Sequence, residues 1–129
     1  EQAADPLARL RTFVLANFQV PIVDARMLSL WATFISQTGV DPALAAIHRE
    51  SYLSYRDTLE ALLEGALTAV GKASNQAERR ALAIAINGLI DGLWLEGCMA
   101  GDMFADGELG RIALASVETL TGLALGSAN

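Results

Sequence analysis

The residues best suited to chemistry fall on one stretch of the sequence. His48, Ser51, Tyr52, Tyr55 and Thr58 recur there at helical spacing, with Trp31 and Phe34 before them and Trp94 after them. Polar tips at core-facing positions need partners. A mostly apolar pocket with a few convergent hydrogen-bonding groups is the usual make-up of a small-molecule site, and aromatic rings can also hold a cation. We therefore place a candidate ligand set on Trp31, Phe34, His48, Tyr52, Tyr55 and Trp94. Any one of them taken alone reads more readily as an ordinary core residue; the grouping is what points to a pocket. Asp91 stands out of line with its apolar neighbours and reads as a surface or capping charge, with a role in holding a cationic effector left open.

Enzyme chemistry finds no support. Nucleophilic catalysis needs a base positioned beside Ser or Cys, and the single His lies in a helical stripe with no evident acid to orient it. Acidic pairs occur in any acidic helical chain, and nothing singles one out. With one Cys and one His, neither a zinc set nor an internal disulfide can be assembled, so no metal or cofactor is expected, and Cys98 reads as a small buried hydrophobe. Net charge is −6 and the nine basic residues are scattered. Nucleic-acid binding rests on clustered Lys and Arg that neutralise phosphates, so this chain is not expected to bind DNA alone.

Positioning these side chains requires helices, and the sequence punctuates five. Asp5-Pro6 is an N-cap with proline at the first helical position; it opens a helix with Leu7, Leu10, Val14 and Phe18 on one face, broken by Pro21. A second begins near Asp24 and turns Met27, Leu30, Trp31, Phe34 and Ile35 inward until Gly39. Asp41-Pro42 opens the longest, which ends at Gly71. Its buried arc is expected to collect Leu44, Ile47, His48, Ser51, Tyr52, Tyr55, Leu59, Leu62, Ala66 and Val70, leaving Arg49, Glu50, Arg56, Asp57, Glu60 and Glu64 in solvent. Asn75 to Glu78 has the form of a capping box for a fourth helix reaching about Ala100. Asp106 and Glu108 begin a fifth that runs to Gly126. The expected fold class is all-α, about five helices in an antiparallel bundle, as a single domain over residues 1–129.

Composition asks for a partner. Apolar types make up 53% of the chain and charged types 19%, a mix whose surface is too greasy for a monomer of this size. No run reaches the roughly 18 nearly uninterrupted apolar residues of a membrane span, and Glu1 to Pro6 lacks the form of a secretory signal; a cytoplasmic protein without membrane contact is expected. Gly88, Gly92 and Gly97 lie inside the fourth helix, each costing about 1 kcal/mol relative to Ala. Gly88 and Gly92 make a groove flanked by Ala85 and Met99, and the fifth helix offers Gly110, Ala115, Gly122, Leu114 and Leu125 beyond its core stripe. We place a homodimer contact on Ala85, Gly88, Gly92, Ile112, Ala115 and Leu123. The alternative is that the glycines merely admit the third helix within one monomer.

The segment Gly88-Leu89-Ile90-Asp91-Gly92-Leu93-Trp94-Leu95-Glu96-Gly97 closely resembles part of the C-terminal domain of TetR-type transcriptional repressors, and the nearest branch looks like the betaine-pathway, choline-responsive BetI-like repressors. Trp31-Ala32-Thr33-Phe34, Asp41-Pro42-Ala43-Leu44 and the Tyr52 to Leu63 segment follow in the order that branch shows, so the resemblance spans about Leu10 to Leu123. It implies an effector-binding and dimerisation domain whose last two helices form the subunit interface. The effector it implies is a small molecule, for which a quaternary amine such as choline is the analogy. Family members begin with a helix-turn-helix unit that reads the major groove. That unit is absent from this sequence, whose first residue is Glu1, so the chain is expected to be the regulatory half, reaching DNA only through a missing N-terminal domain. The competing expectation is a ligand-free helical dimerisation module.

Overall fold

Three helices begin where a side chain takes up the orphan amides of a first turn, whereas the last starts at Gly107 in the left-handed conformation with no side-chain cap, not at the expected Asp106. In the computed structural model, which describes residues 5–19 and 25–126, the Asp5 carboxylate accepts from the Ala8 amide at 3.1 Å ahead of α1 (Pro6–Ala16). Asp41 does the same for Ala43 and Leu44 ahead of α3 (Pro42–Ala69). Asn75 and Glu78 exchange side-chain-to-backbone bonds at 2.8 and 3.0 Å, the expected capping box at the head of α4 (Gln76–Ala100). α2 (Ala25–Thr38) lies between α1 and α3, its expected start at Asp24 and the Pro21 break falling outside the described residues. A short 3₁₀ turn (Gly101–Met103) leads to α5 (Glu108–Thr121). The all-α, five-helix expectation holds, and no strand occurs among the described residues.

Helix α1 packs on α3, α3 on α4, α4 on α5 and α5 back on α1, closing a ring, while α2 leans on α3 and α4 from outside it. The ring encloses Leu10 and Val14 from α1, Leu59, Leu63, Ala66 and Leu67 from α3, Ala83, Ile86 and Ile90 from α4, and Ala113, Leu114 and Val117 from α5. Gly110 lets α1 and α5 approach: a Cβ there would lie 3.0 Å from Leu15 Cδ2.

Several boundaries and faces differ from the expectation. α1 stops at Ala16 rather than continuing past Phe18, because Asn17 turns its amide back onto the carbonyls of Phe13 and Val14. α5 ends at Thr121 instead of Gly126. Gly122 takes the left-handed conformation (φ 75°) that a glycine C-cap supplies, and the chain leaves the helix there, returning Leu123 and Leu125 to the core. The Leu125 amide donates to Glu118, Lys72 Nζ to the Thr121 carbonyl, and Arg11 Nε to the Gly126 carbonyl at 3.2 Å. The buried arc of α3 is turned relative to the expected one: Ile47, Ser51 and Val70 are exposed, whereas Arg56 and Glu60 are mostly covered, with the Arg56 guanidinium 5.5 Å above the Tyr52 ring. Long arginine stems can bury themselves while keeping the charge paired. On α2, Leu30 is 66% exposed and Met27 and Trp31 are also open, since α2 has neighbours on one side only. No run of 18 uninterrupted apolar residues occurs, but the 28-residue segment Gln76–Met103 is long and apolar enough to cross a membrane by length and composition, and 28% of its most apolar window is buried within the chain.

The core assignment makes a contrast that equilibrium urea unfolding can check. Leu63→Ala empties a site with no solvent exposure and is expected to cost about 2–5 kcal/mol, whereas Leu30→Ala, on the open face of α2, is expected to stay within about 0.5 kcal/mol of the parent.

Candidate ligand cavity and subunit face

Where α2 leans on the ring, it leaves a cavity of about 220 Å³ lined by Asn17, Met27, Trp31, Ile90, Asp91, Trp94 and Leu95. Three elements supply these side chains. Asn17 is the C-cap of α1; Met27 and Trp31 are one turn apart on α2; Ile90, Asp91, Trp94 and Leu95 fall on adjoining turns of α4. The two indoles meet edge to face, their centroids 5.9 Å apart, an arrangement that favours contact of a positive edge with a negative face. They are the only tryptophans in the chain.

The lining carries one acid and, among the described residues, no basic side chain. Partial loss of water raises the Asp91 pKa above the ordinary aspartate value, and the nearby His48 pulls it back down. Behind the cavity, Tyr55 donates to Asn17 Oδ1 at 3.2 Å and stacks obliquely on Phe13, 4.9 Å between ring centroids. Burial, with the Asp91 charge adding to it, pushes the Tyr55 pKa up against the effect of the Asn17 hydrogen bond, so its hydroxyl stays protonated at neutral pH. The site thus offers a carboxylate, an amide oxygen and two π faces. These are features that attract a small positive ligand.

The sequence-predicted ligand set is only partly brought together. Trp31 and Trp94 line the cavity. Tyr55 reaches it through Asn17, and His48 lies close enough to act on Asp91, standing edge to face against Phe34 with centroids 5.6 Å apart. Phe34 and Tyr52 do not line it; Tyr52 is occupied by Arg56, whose Nη1 donates to its hydroxyl at 3.5 Å. Asn17, Met27, Ile90 and Leu95 were missed, and Asp91 is both exposed, as a surface charge would be, and part of the lining. Its position three residues before Trp94, hence on the same side of α4, was the available signal; Asn17 gave none, being far away in sequence.

The predicted subunit face divides cleanly. Ala85, Gly88 and Gly92 are exposed, and a Cβ at either glycine would meet nothing within 4 Å. The glycines therefore do not serve to admit α3 within the monomer. With Ala81, Ile84 and Met99, the last 73% exposed, they form an open apolar strip along α4. Ile112 and Ala115 are exposed on α5, as are Thr119 and Leu120. Leu123, by contrast, is buried in the chain's own core, as are Gly110, Leu114 and Leu125. The turn at Gly122 explains this, since it removes Leu123 from the face of α5.

The fold is that of the C-terminal domain of a TetR-type transcriptional regulator. Residues 6–122 match the profile of the BetI-type transcriptional repressor C-terminal domain, and the chain belongs to that family. It is 35% identical over 97 residues to the HTH-type transcriptional regulator BetI of Burkholderia lata, covering 75% of this chain and 46% of that protein. With the BetI regulator of Paraburkholderia phymatum the identity is 35% over 101 residues, covering 78% and 48%. A crystal structure assigned to a transcriptional regulator of Pseudomonas aeruginosa PAO1 superposes with a TM-score of 0.83 at 28% identity, covering 93% of this chain and 57% of that one. The chain spans about half the length of the curated relatives it matches. Proteins of this family regulate transcription and are not enzymes.

The strained charge of Asp91 has a measurable signature. A carboxyl group whose pKa is higher in the folded than in the unfolded chain favours folding while protonated in both states, and that advantage is lost as pH rises through the folded-state value. Asp91→Asn is therefore expected to melt at a higher temperature than the parent at pH 7, and the difference should shrink to nothing as pH falls below the ordinary aspartate range. A difference that persists in acid would rule out this origin.

Proposed function

We propose that this domain is the sensor and pairing half of a TetR-type repressor, which takes a small organic cation between Trp31 and Trp94 against Asp91 and dimerises through α4 and α5. The observation that carries the ligand reading is the cavity itself, two indoles and one carboxylate around about 220 Å³. A dry cavity of about 150 Å³ is large enough for benzene, so this one suits a ligand of similar or slightly greater bulk, such as a quaternary amine. A ligand-free dimerisation module has no use for such a space, and a filled core would be its mark.

The pairing reading is supported by the open strip on α4 and the exposed face of α5. Two copies that each carry a charge of −6 repel one another except across uncharged surface, and Ala81, Ile84, Ala85, Gly88, Gly92, Ile112 and Ala115 supply such a surface. The exposed glycines let a partner helix approach closely, as in four-helix-bundle dimers. In the intact cytoplasmic repressor, ligand binding here would bias the separation of two DNA-binding units carried N-terminal to this domain, a coupling typically worth about 1–3 kcal/mol.

Because both tryptophans line the cavity, intrinsic fluorescence reports on it directly. Titration with tetramethylammonium and choline is expected to change the emission saturably, and Asp91→Asn or Trp94→Ala to weaken binding about fivefold to thirtyfold. Parent affinity should be level near neutral pH and fall as acid protonates Asp91, whereas Asp91→Asn should show no such fall. Emission that never saturates with any organic cation would exclude this ligand class. For pairing, light scattering across a dilution series should return a dimer that Gly92→Leu weakens without loss of helical circular dichroism. A monomeric parent would remove the pairing reading.

A further inference from the structure

Asn17 lines the cavity and also terminates a helix. Its Nδ2 donates to the Phe13 carbonyl at 2.9 Å and the Val14 carbonyl at 3.3 Å, two acceptors of the last turn of α1, while its Oδ1 accepts from Tyr55. An asparagine amide has two donor hydrogens and two acceptor lone pairs. The Nδ2 group is turned to α1 and one lone pair of Oδ1 to Tyr55, which, among the described residues, leaves one acceptor position on Oδ1. The backbone at this point is held lightly: the Asn17 and Phe18 amides make three-residue bonds to Val14 and Leu15 at 3.3 and 3.1 Å, the tightened pattern of a helix end.

We propose that Asn17 is a positioning residue that relays occupancy of the cavity to the last turn of α1. The inference rests on the cavity being a ligand site. A ligand that donates to the remaining lone pair of Oδ1 completes the acceptor capacity of the amide and polarises it, and polarised chains of hydrogen bonds strengthen one another. The bonds that Nδ2 makes to Phe13 and Val14 then tighten, and the turn becomes better ordered. By linkage the reverse holds as well: an ordered turn fixes Oδ1 in place for the ligand and raises affinity. Tyr55 sets the rotation of the amide from behind, without itself lining the cavity. A cation with a hydroxyl group meets the requirement, and one without a donor fills the space but leaves Oδ1 untouched.

Choline and tetramethylammonium differ in that donor, so amide hydrogen exchange of this chain, followed by NMR with each at saturation, separates the alternatives. Choline is expected to slow exchange at Asn17 and Phe18 by about fivefold, the lower end of ordinary coupling, and tetramethylammonium to leave them near the free rate. In Asn17→Ala, choline should still bind through Trp31, Trp94 and Asp91, a few-fold more weakly, with no slowing at Phe18. In Tyr55→Phe, which keeps every cavity-lining side chain, the slowing should be reduced. Should choline bind the parent and leave Phe18 unchanged, or slow it equally in Asn17→Ala, the relay is overturned while the ligand site stands. If neither cation binds the parent, the ligand site and the relay fall together.

Discussion

The structure turns on a mismatch in α4, which carries more apolar surface than its own chain covers. One edge of this helix gives Ala83, Ile86 and Ile90 to the core, a second gives Asp91 and Trp94 to the cavity, and a third leaves Ile84, Ala85, Gly88, Gly92 and Met99 in the open. A helix apolar on one face is satisfied by a single layer of neighbours; one apolar nearly all round belongs at the centre of something larger. The same excess explains why the segment has the composition of a membrane span. It also sets the cavity and the open apolar strip on adjacent edges of one helix, with Leu95 between them.

The cavity exists because α2 stands outside the ring. α1, α3, α4 and α5 pack in a closed cycle, whereas α2 lies chiefly against α3 and α4 and buries none of its described residues fully. Packing inside the ring is dense, with Leu10, Leu59, Leu63, Ile86 and Leu114 wholly or almost wholly covered. Space is left where that regularity ends, at the seam between an added helix and a closed set. An added helix can also shift against its supports at lower cost than a ring member, because fewer buried contacts hold it.

Most of the architecture was legible in the sequence because it is written in local signals. Asp5-Pro6, Asp41-Pro42 and the Asn75–Glu78 pair each satisfy amides a few residues away, so these three helix starts could be read without knowing the fold. The resemblance carried by Gly88 to Gly97 likewise led to the right family. The failures are long-range. Nothing near Asn17 announces that its amide will meet Tyr55, 38 positions on, and how far Arg56 is covered depends on what packs against α3, although its contact with Tyr52 four residues earlier is local. Gly122 was legible as a small residue but ambiguous in role: the same glycine serves a helix interface or a helix stop, and its positive φ decides for the stop. Leu123 was misplaced as a result, although its apolar character was read correctly.

The end of the described chain does more than stop α5. Leu123 and Leu125 plug the core, and Arg11 holds the Gly126 carbonyl from a helix 115 positions earlier. Contacts between α3 and α4, or α4 and α5, close short loops, whereas the seam of α1 with α5 and its tail closes one of nearly the whole chain. The entropy lost grows only slowly with loop length, about 0.6 kcal/mol per doubling, but folding slows as contacts become less local. The order of assembly follows: a helical hairpin can gather early around α4, and α1 is stitched in afterwards, once the tail has turned back to receive it.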